Sequence, residues 1–254
     1  MTSFAFYPRE VRERLEREAA EYSFVQDEPT PWTPLRRDLS RSRAILVTTS
    51  GVRLKDGAPF EADRVLGCSE MREISTYVSA RDVAFDFHGF NAEAARADLN
   101  VVAPVDRIKE LVDRGVLGGV SEAFISFFGR CGRLDDLKSA AAAAAARVRE
   151  VHEADVALVV PASFECNRTA AIVSRALEAA GLSTVTLSTV REVTEQVRAP
   201  RPLFINFPFG RTLGPPHAVA LQRSIMADIV GALRTMDRAG RLRALPYVWE
   251  GMAA

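Results

Sequence analysis

Between Ser163 and Thr169 the sequence Ser-Phe-Glu-Cys-Asn-Arg-Thr gathers a hydroxyl, a carboxylate, a thiol, an amide and a guanidinium. It follows an apolar run, Asp155 to Val160, that is too short for a buried helix and is ended by Pro161. Beyond it lies the helical pattern Ala170 to Ala180. The pattern predicts a strand, a tight turn and a helix start. Unpaired N–H groups at such a start stabilise an anion or a thiolate. Cys166 is therefore the candidate nucleophile or redox thiol, and with Arg168 beside it its pKa is expected to be depressed. Ser163 stands three residues earlier, the spacing of a Cys-x-x-Cys redox pair with one sulfur replaced by oxygen. It can donate a hydrogen bond to the thiol or to a substrate but cannot close a disulfide. A cysteine in this place also serves as a small buried hydrophobe; Glu165, Asn167 and Arg168 are the neighbours that favour chemistry and substrate binding.

Other strand ends must face this turn if it is a site. Ala44 to Val47 is a β-branched, apolar strand that ends in Thr48, Thr49, Ser50 and Gly51, hydroxyls and open amides suited to a carboxylate. Leu203 to Phe207 is another strand, carrying Asn206 and closed by Pro208-Phe209-Gly210. Val83 to Phe87 runs into His88-Gly89-Phe90-Asn91, and a His beside Gly at a strand end is a candidate catalyst. Cys68, Ser69, Glu70 and Arg72 lie in a polar stretch. The cover comes from helices at Val105–Arg114, Leu134–Glu153 with its seven alanines, Val190–Val197 and Ala218–Arg238. Strand and helix alternate, which predicts an α/β fold: a parallel sheet with helices on both faces, in Rossmann-like layers. Residues 43–235 are expected to form one such unit, with its cleft over the carboxyl ends at Ser50, Ser163 and Asn206. An N-terminal helical arm, Pro8 to Tyr22, and a Pro-rich connector occupy 1–40; the α/β domain takes 41–254.

Composition narrows the partners. With 33 basic and 33 acidic residues among 254, the net charge is zero, and neither nucleic acid nor a membrane surface is indicated. A small molecule fits better. No apolar run approaches the ~20 residues of a membrane span, and the charged start is unlike a signal peptide. Cys68, Cys131 and Cys166 make an odd, scattered set, which points to a reducing cytoplasm rather than a disulfide framework. His88, His152 and His217 are separated from them, so no metal is inferred. Gly115, Gly118 and Gly119 do not form a dinucleotide fingerprint, and no cofactor is inferred either.

Taken in order, several blocks resemble the selenoprotein B component of the glycine, sarcosine, betaine and D-proline reductases. They are Leu46 to Gly51, His88 to Asn91, Asn100-Val101-Val102-Ala103-Pro104-Val105-Asp106-Arg107, Pro161 to Thr169, and Phe207 to Gly210 with Gly214-Pro215. Matching Pro161, Cys166 and Thr169 to the family's loop puts Ser163 at its selenocysteine position and Cys166 at its partner thiol. His88 stands one position from the family's His. The resemblance implies a selenol that attacks the carbon bearing the amine, while a pyruvoyl-type group holds that amine. A serine hydroxyl is far too weak a nucleophile for this at neutral pH and forms no selenide-sulfide.

Two function classes follow. One is a diverged, thiol-dependent oxidoreductase acting through Cys166, Ser163 and His88 on a small carboxylate-bearing, amino-acid-like or thio-acid substrate. Thr48, Thr49, Ser50, Gly51, Glu165, Asn167, Arg168 and Asn206 would line its site. A racemase or lyase-type cysteine enzyme is a variant of this class and needs a second thiol, Cys68 or Cys131. The other is a non-catalytic accessory subunit that kept the fold, partnering a reductase subunit or a second copy of itself.

Overall fold

The computed structural model describes residues 4–24, 29–86 and 89–250. In chain order, α1 (Arg9–Glu21) leads through an extended segment to β1 (Arg43–Thr48). Next come β2 (Val52–Leu54), β3 (Met71–Ser75), β4 (Val83–Phe85), α2 (Glu93–Ala97) and α3 (Val105–Asp113). After β5 (Gly119–Val120) and β6 (Ala123–Phe127) the chain forms α4 (Leu134–Glu150), β7 (Val156–Val160) and α5 (Phe164–Ala179). It ends with β8 (Ser183–Ser188), α6 (Arg191–Val197), β9 (Pro202–Phe204), α7 (Val219–Thr235) and β10 (Arg243–Ala244).

The main sheet has the order β10-β9-β8-β7-β1-β6-β3, with β5 beside the start of β1. β1 and β7 pair in parallel from Ala44 opposite Val156 to Thr48 opposite Val160. Successive residues of these two strands feed opposite cores, which is why both read as unbroken apolar runs rather than alternating ones. Leu46, Leu158 and Val160 pack with Ile108 and Leu111 of α3 and Ile225 and Ile229 of α7. Ile45, Val47, Ala157 and Val159 pack on the other face with Leu137 and Ala141 of α4, Leu177 of α5 and Val193 of α6. The α/β class, the mostly parallel sheet and the helices on both faces are as the alternation predicts.

Two strands depart from the expected all-parallel unit. β3 pairs antiparallel with β6 at the sheet edge, in a stretch that reads as polar because only Ile74 of its five residues is buried. β4 joins β2 in a separate antiparallel pair instead of the main sheet.

The segments ahead of β1 are packed against the body. Phe4 is 1% exposed, and Leu15 and Ala19 of α1 join the core on the α5 face. In the connector, the Thr33 amide donates to the Glu178 carboxylate and Thr33 Oγ1 donates to the Glu178 carbonyl at 2.7 Å. Glu178 also pairs with Arg201, whose guanidinium lies 3.5 Å from the centroid of the Trp32 ring.

Candidate functional site

β1 is followed by elements on the α3 side of the sheet and β7 by α5 on the other, so the carboxyl ends of these neighbours diverge at a topological switch point, where open α/β sheets form a crevice. Ser163 caps α5, its Oγ accepting from the Cys166 amide at 3.4 Å, while the same hydroxyl donates to Cys166 Sγ at 3.0 Å. Cys166 Sγ donates in turn to the Thr49 carbonyl at 2.7 Å, and Thr49 Oγ1 returns a bond to the Cys166 carbonyl at 3.0 Å. Thr48 Oγ1 bonds Ser50 Oγ at 2.8 Å and donates to the Val102 carbonyl at 2.9 Å, which leaves Ser50 as the donor of the first pair. Asn167 Nδ2 donates to the Ser163 carbonyl at 2.7 Å, and Asn167 Oδ1 accepts from the Thr189 amide at 2.9 Å.

These bonds close on one another inside the protein. Thr48, Thr49, Ser50, Ser163 and Cys166 are 0% exposed and Asn167 1%. Burial pushes the Cys166 thiol up from 9.0 to about 11, against the lowering effect of its hydrogen bond from Ser163. The expected depression is thus overturned: hydrogen bonds to the sulfur favour a thiolate, but loss of water outweighs them and the Glu165 carboxylate adds to it.

The open cleft lies one layer outward. It has a volume of about 800 Å3, walled by α1, the first turn of α5, Gly89–Asn91, Arg130 and the Phe209–Arg211 loop. Aromatic contacts seat the arm over it. Tyr7 packs at a tilt against Phe209 at 5.7 Å between centroids and accepts from the Phe209 amide at 2.7 Å; Tyr22 meets Phe164 edge-on at 6.3 Å. Burial raises both tyrosines to about 12, so each stays a neutral phenol. Gly210 makes the crossing of the loop over Phe90 and Asn91 feasible. Its φ is +75°, and a Cβ there would lie 2.6 Å from the Phe90 ring and 2.8 Å from the Asn91 carbonyl oxygen.

The cleft is rich in guanidinium. Glu165 pairs with Arg130 at 3.2 Å, and Arg14 with Glu18 at 3.7 Å. Arg168 and Arg211 also line it, and among the described residues no carboxylate pairs with either. Arg168 Nη2 is spent on the Cys131 carbonyl at 2.5 Å, whereas its Nε is buried without a partner. Arg211 lies 5.7 Å from the Trp249 ring centroid. The arrangement suits a small carboxylate held between two cations, with apolar rings beside it.

Of the residues expected to touch substrate, Glu165 and Arg168 line the cleft. Thr48, Thr49, Ser50, Ser163, Cys166 and Asn167 lie behind it, in the hydrogen-bonded floor. Gly51 is also buried, its amide donating to the Phe127 carbonyl at 2.9 Å. Asn206 is half-buried on the same carboxyl edge, outside the lining. His88 lies outside the described residues. Neither Cys68 nor Cys131 lines the cleft. Sequence reasoning missed Arg130, Arg211 and the α1 wall. The two arginines directly follow strand-end glycines, Gly129 and Gly210, which was the available signal. No group of three or more His, Cys, Asp or Glu side chains among the described residues could hold a metal.

Residues 16–163 match the model of the family described as glycine/sarcosine/betaine reductase selenoprotein B. The chain is 28% identical over 221 residues to the D-proline reductase subunit gamma of Acetoanaerobium sticklandii, covering 86% of this chain and 89% of the relative. It is 26% identical to the glycine reductase complex component B subunit gamma of Symbiobacterium thermophilum, covering 85% of this chain and 51% of that one. To the sarcosine reductase complex component B subunit beta of Peptoclostridium acidaminophilum it is 25% identical, covering 71% of this chain and 42% of the relative. The chain therefore spans nearly all of the first relative and about half of the other two. No solved structure matches it.

Proposed function

The chain belongs to the glycine/sarcosine/betaine reductase selenoprotein B family, and on that premise we propose that it is a subunit of a reductase-type complex which binds a small carboxylate in the cleft under α1. The observation that carries this reading is the pair Arg168 and Arg211, two guanidiniums that meet no described carboxylate inside a cleft of about 800 Å3. A carboxylate there gains charge-assisted hydrogen bonds without displacing an existing ion pair. The relatives' names supply the ligand class: D-proline, glycine and sarcosine all carry a carboxylate beside an amine. The complex would work in the cytoplasm, and no described helix is long and apolar enough to cross a membrane.

Ser163 and a neutral, enclosed Cys166 favour the accessory role over self-sufficient reduction, since the thiolate is the nucleophilic form. One observation supports the alternative of a thiol-dependent enzyme: Ser163 Oγ and Cys166 Sγ remain in contact at 3.0 Å, just behind Glu165 and Arg168. In that reading the floor opens when a partner subunit or substrate arrives.

Calorimetric titration with D-proline, glycine, sarcosine and betaine tests the binding reading. Saturable binding of at least one is expected, weakened roughly tenfold or more by Arg211→Ala or Arg168→Met. Binding of none, or affinities indifferent to both substitutions, would remove the cleft as the site.

A further inference from the structure

The Asn100–Arg107 block, one of those that carry the family resemblance, takes no part in the cleft. It lines a second cavity of about 430 Å3, together with Tyr77, Asp98, Lys109, His217 and Gln222. From its unspent hydrogen-bonding groups we infer that this cavity binds a zwitterionic α-amino acid, carboxylate towards Arg107 and ammonium towards Gln222.

The polar groups that frame the cavity are already paired, so they act as scaffold. Asp98 accepts from the Asn100 amide at 3.0 Å, from Asn100 Nδ2 at 2.9 Å, from the His217 amide at 2.8 Å and from Gln222 Nε2 at 2.8 Å. Asn100 Nδ2 also donates to Asp106 Oδ2 at 2.9 Å, and Asn100 Oδ1 accepts from the Asp106 amide at 2.9 Å. Lys109 pairs with Asp106 at 2.9 Å. His217 is held at a φ of 62°, a left-handed value that a histidine adopts only under such constraint.

What remains unpaired is specific. Gln222 is 0% exposed, yet its Oε1 has no partner. Arg107 is 9% exposed; its Nη2 reaches Glu110 at 3.0 Å, while its Nε and Nη1 are buried with none. A buried donor or acceptor left unmade costs free energy, so a cavity with spare guanidinium N–H groups and a spare amide oxygen favours a ligand that brings one acceptor and one donor. Charge agrees. Arg107 and Lys109 balance Asp98 and Asp106 in the lining, and Glu110, which meets Arg107 from outside it, is matched by Arg223 at 2.8 Å. A net-neutral zwitterion enters such a surround without leaving an excess charge, whereas a simple anion or cation does not. The cavity is physically linked to the cleft floor: Val102 accepts from Thr48 at 2.9 Å, and Val101 accepts from the Leu213 amide at 3.0 Å.

The test is amide NMR of the full chain titrated with glycine, L-alanine, L-proline and D-proline, each to about 20 mM. At least one should produce saturable shifts at the His217 amide and the Asn100 and Gln222 side-chain amides. Arg107→Met should weaken those shifts roughly tenfold or more in affinity, while Arg168→Met leaves them unchanged and alters only cleft signals. Acetate and methylammonium should each fail to saturate the same signals. The inference is overturned if none of the four amino acids saturates them, if Arg107→Met binds as well as wild type, or if acetate binds equally well. If Arg107→Met does not fold, the wild-type titration with its acetate and methylammonium controls decides alone. Because the readouts are separate residues, failure here leaves the cleft reading intact and the reverse.

Discussion

Cys166 should be the least reactive cysteine of the native chain, and the size of the effect follows from its surroundings. Burial raises its pKa from 9.0 to about 11, which at neutral pH leaves ~100 times fewer thiolates than an ordinary thiol. The sulfur is also 0% exposed, so a reagent must wait for the first turn of α5 to part from β1. If that opening costs about 3 kcal/mol, labelling through the open state, where the thiol regains water and its ordinary pKa, is suppressed ~150-fold. The assay is iodoacetamide alkylation at pH 7.5, with the Cys166 peptide followed by mass spectrometry in native buffer and in guanidinium. Half-exposed Cys68 serves as the internal reference. Native labelling of Cys166 within about tenfold of the unfolded rate would refute the closed, neutral thiol. A rise of one to two decades on adding a partner reductase subunit would instead show the floor opening and revive the thiol-enzyme reading.

The same burial makes stability pH-dependent. With the folded value above the unfolded one, the contribution is whole below pH 9 and lost as pH climbs towards 11, about 2–3 kcal/mol in all; Tyr7 and Tyr22, raised from 10.0 to about 12, add further loss above pH 10. Urea midpoints at pH 8 and 10.5 should therefore diverge, and by less in Cys166→Ala; an equal drop in both proteins would contradict the assignment. Ser163→Ala removes a helix cap and the hydrogen bond to Sγ and should cost about 1–2 kcal/mol by denaturant titration, more than a surface loop change. Glu178→Gln leaves Arg201 buried without its counter-charge and should cost about 3–5 kcal/mol, visible as a large drop in Tm; a neutral outcome would mean that the pair adds nothing to the folded state. Gly210→Ala should distort the cleft, because its Cβ meets Phe90 and Asn91; carboxylate affinity that survives unchanged would place the ligand elsewhere.

The layered fold was legible because Ala44 to Val47 of β1 and Val156 to Val160 of β7 are unbroken apolar runs, the mark of strands covered on both faces. β3 was not, since four of its five residues face outward or sit half-buried. Strand-end chemistry puts a candidate site at the ends of β1 and β7, but it does not tell how deeply those residues are buried. Ser163 and Cys166 look alike on paper whether they face a ligand or the protein, and what encloses Cys166 is Thr49, 117 residues away. The cleft cations were invisible as a set for the same reason. Arg130 comes from the loop after β6, Arg168 from α5 and Arg211 from the loop after β9, and the fourth wall, α1, reads as a charge-laced helix with no stated partner.

The position of β1 in the sheet has a consequence for how the chain is made. It leaves the ribosome before its neighbours β6 and β7, and Val156, the β7 partner of Ala44, lies about 110 residues further on. At roughly 5–20 residues per second of synthesis, the apolar run Ala44 to Val47 waits on the order of 5–20 seconds before its pairing groups can be covered. Long-range parallel pairing of this kind also folds slowly once the chain is complete. The cleft floor at Thr49 and Cys166 is assembled by that same late pairing, so substitutions that leave native stability unchanged can still lower yield by prolonging exposure of residues 44–48.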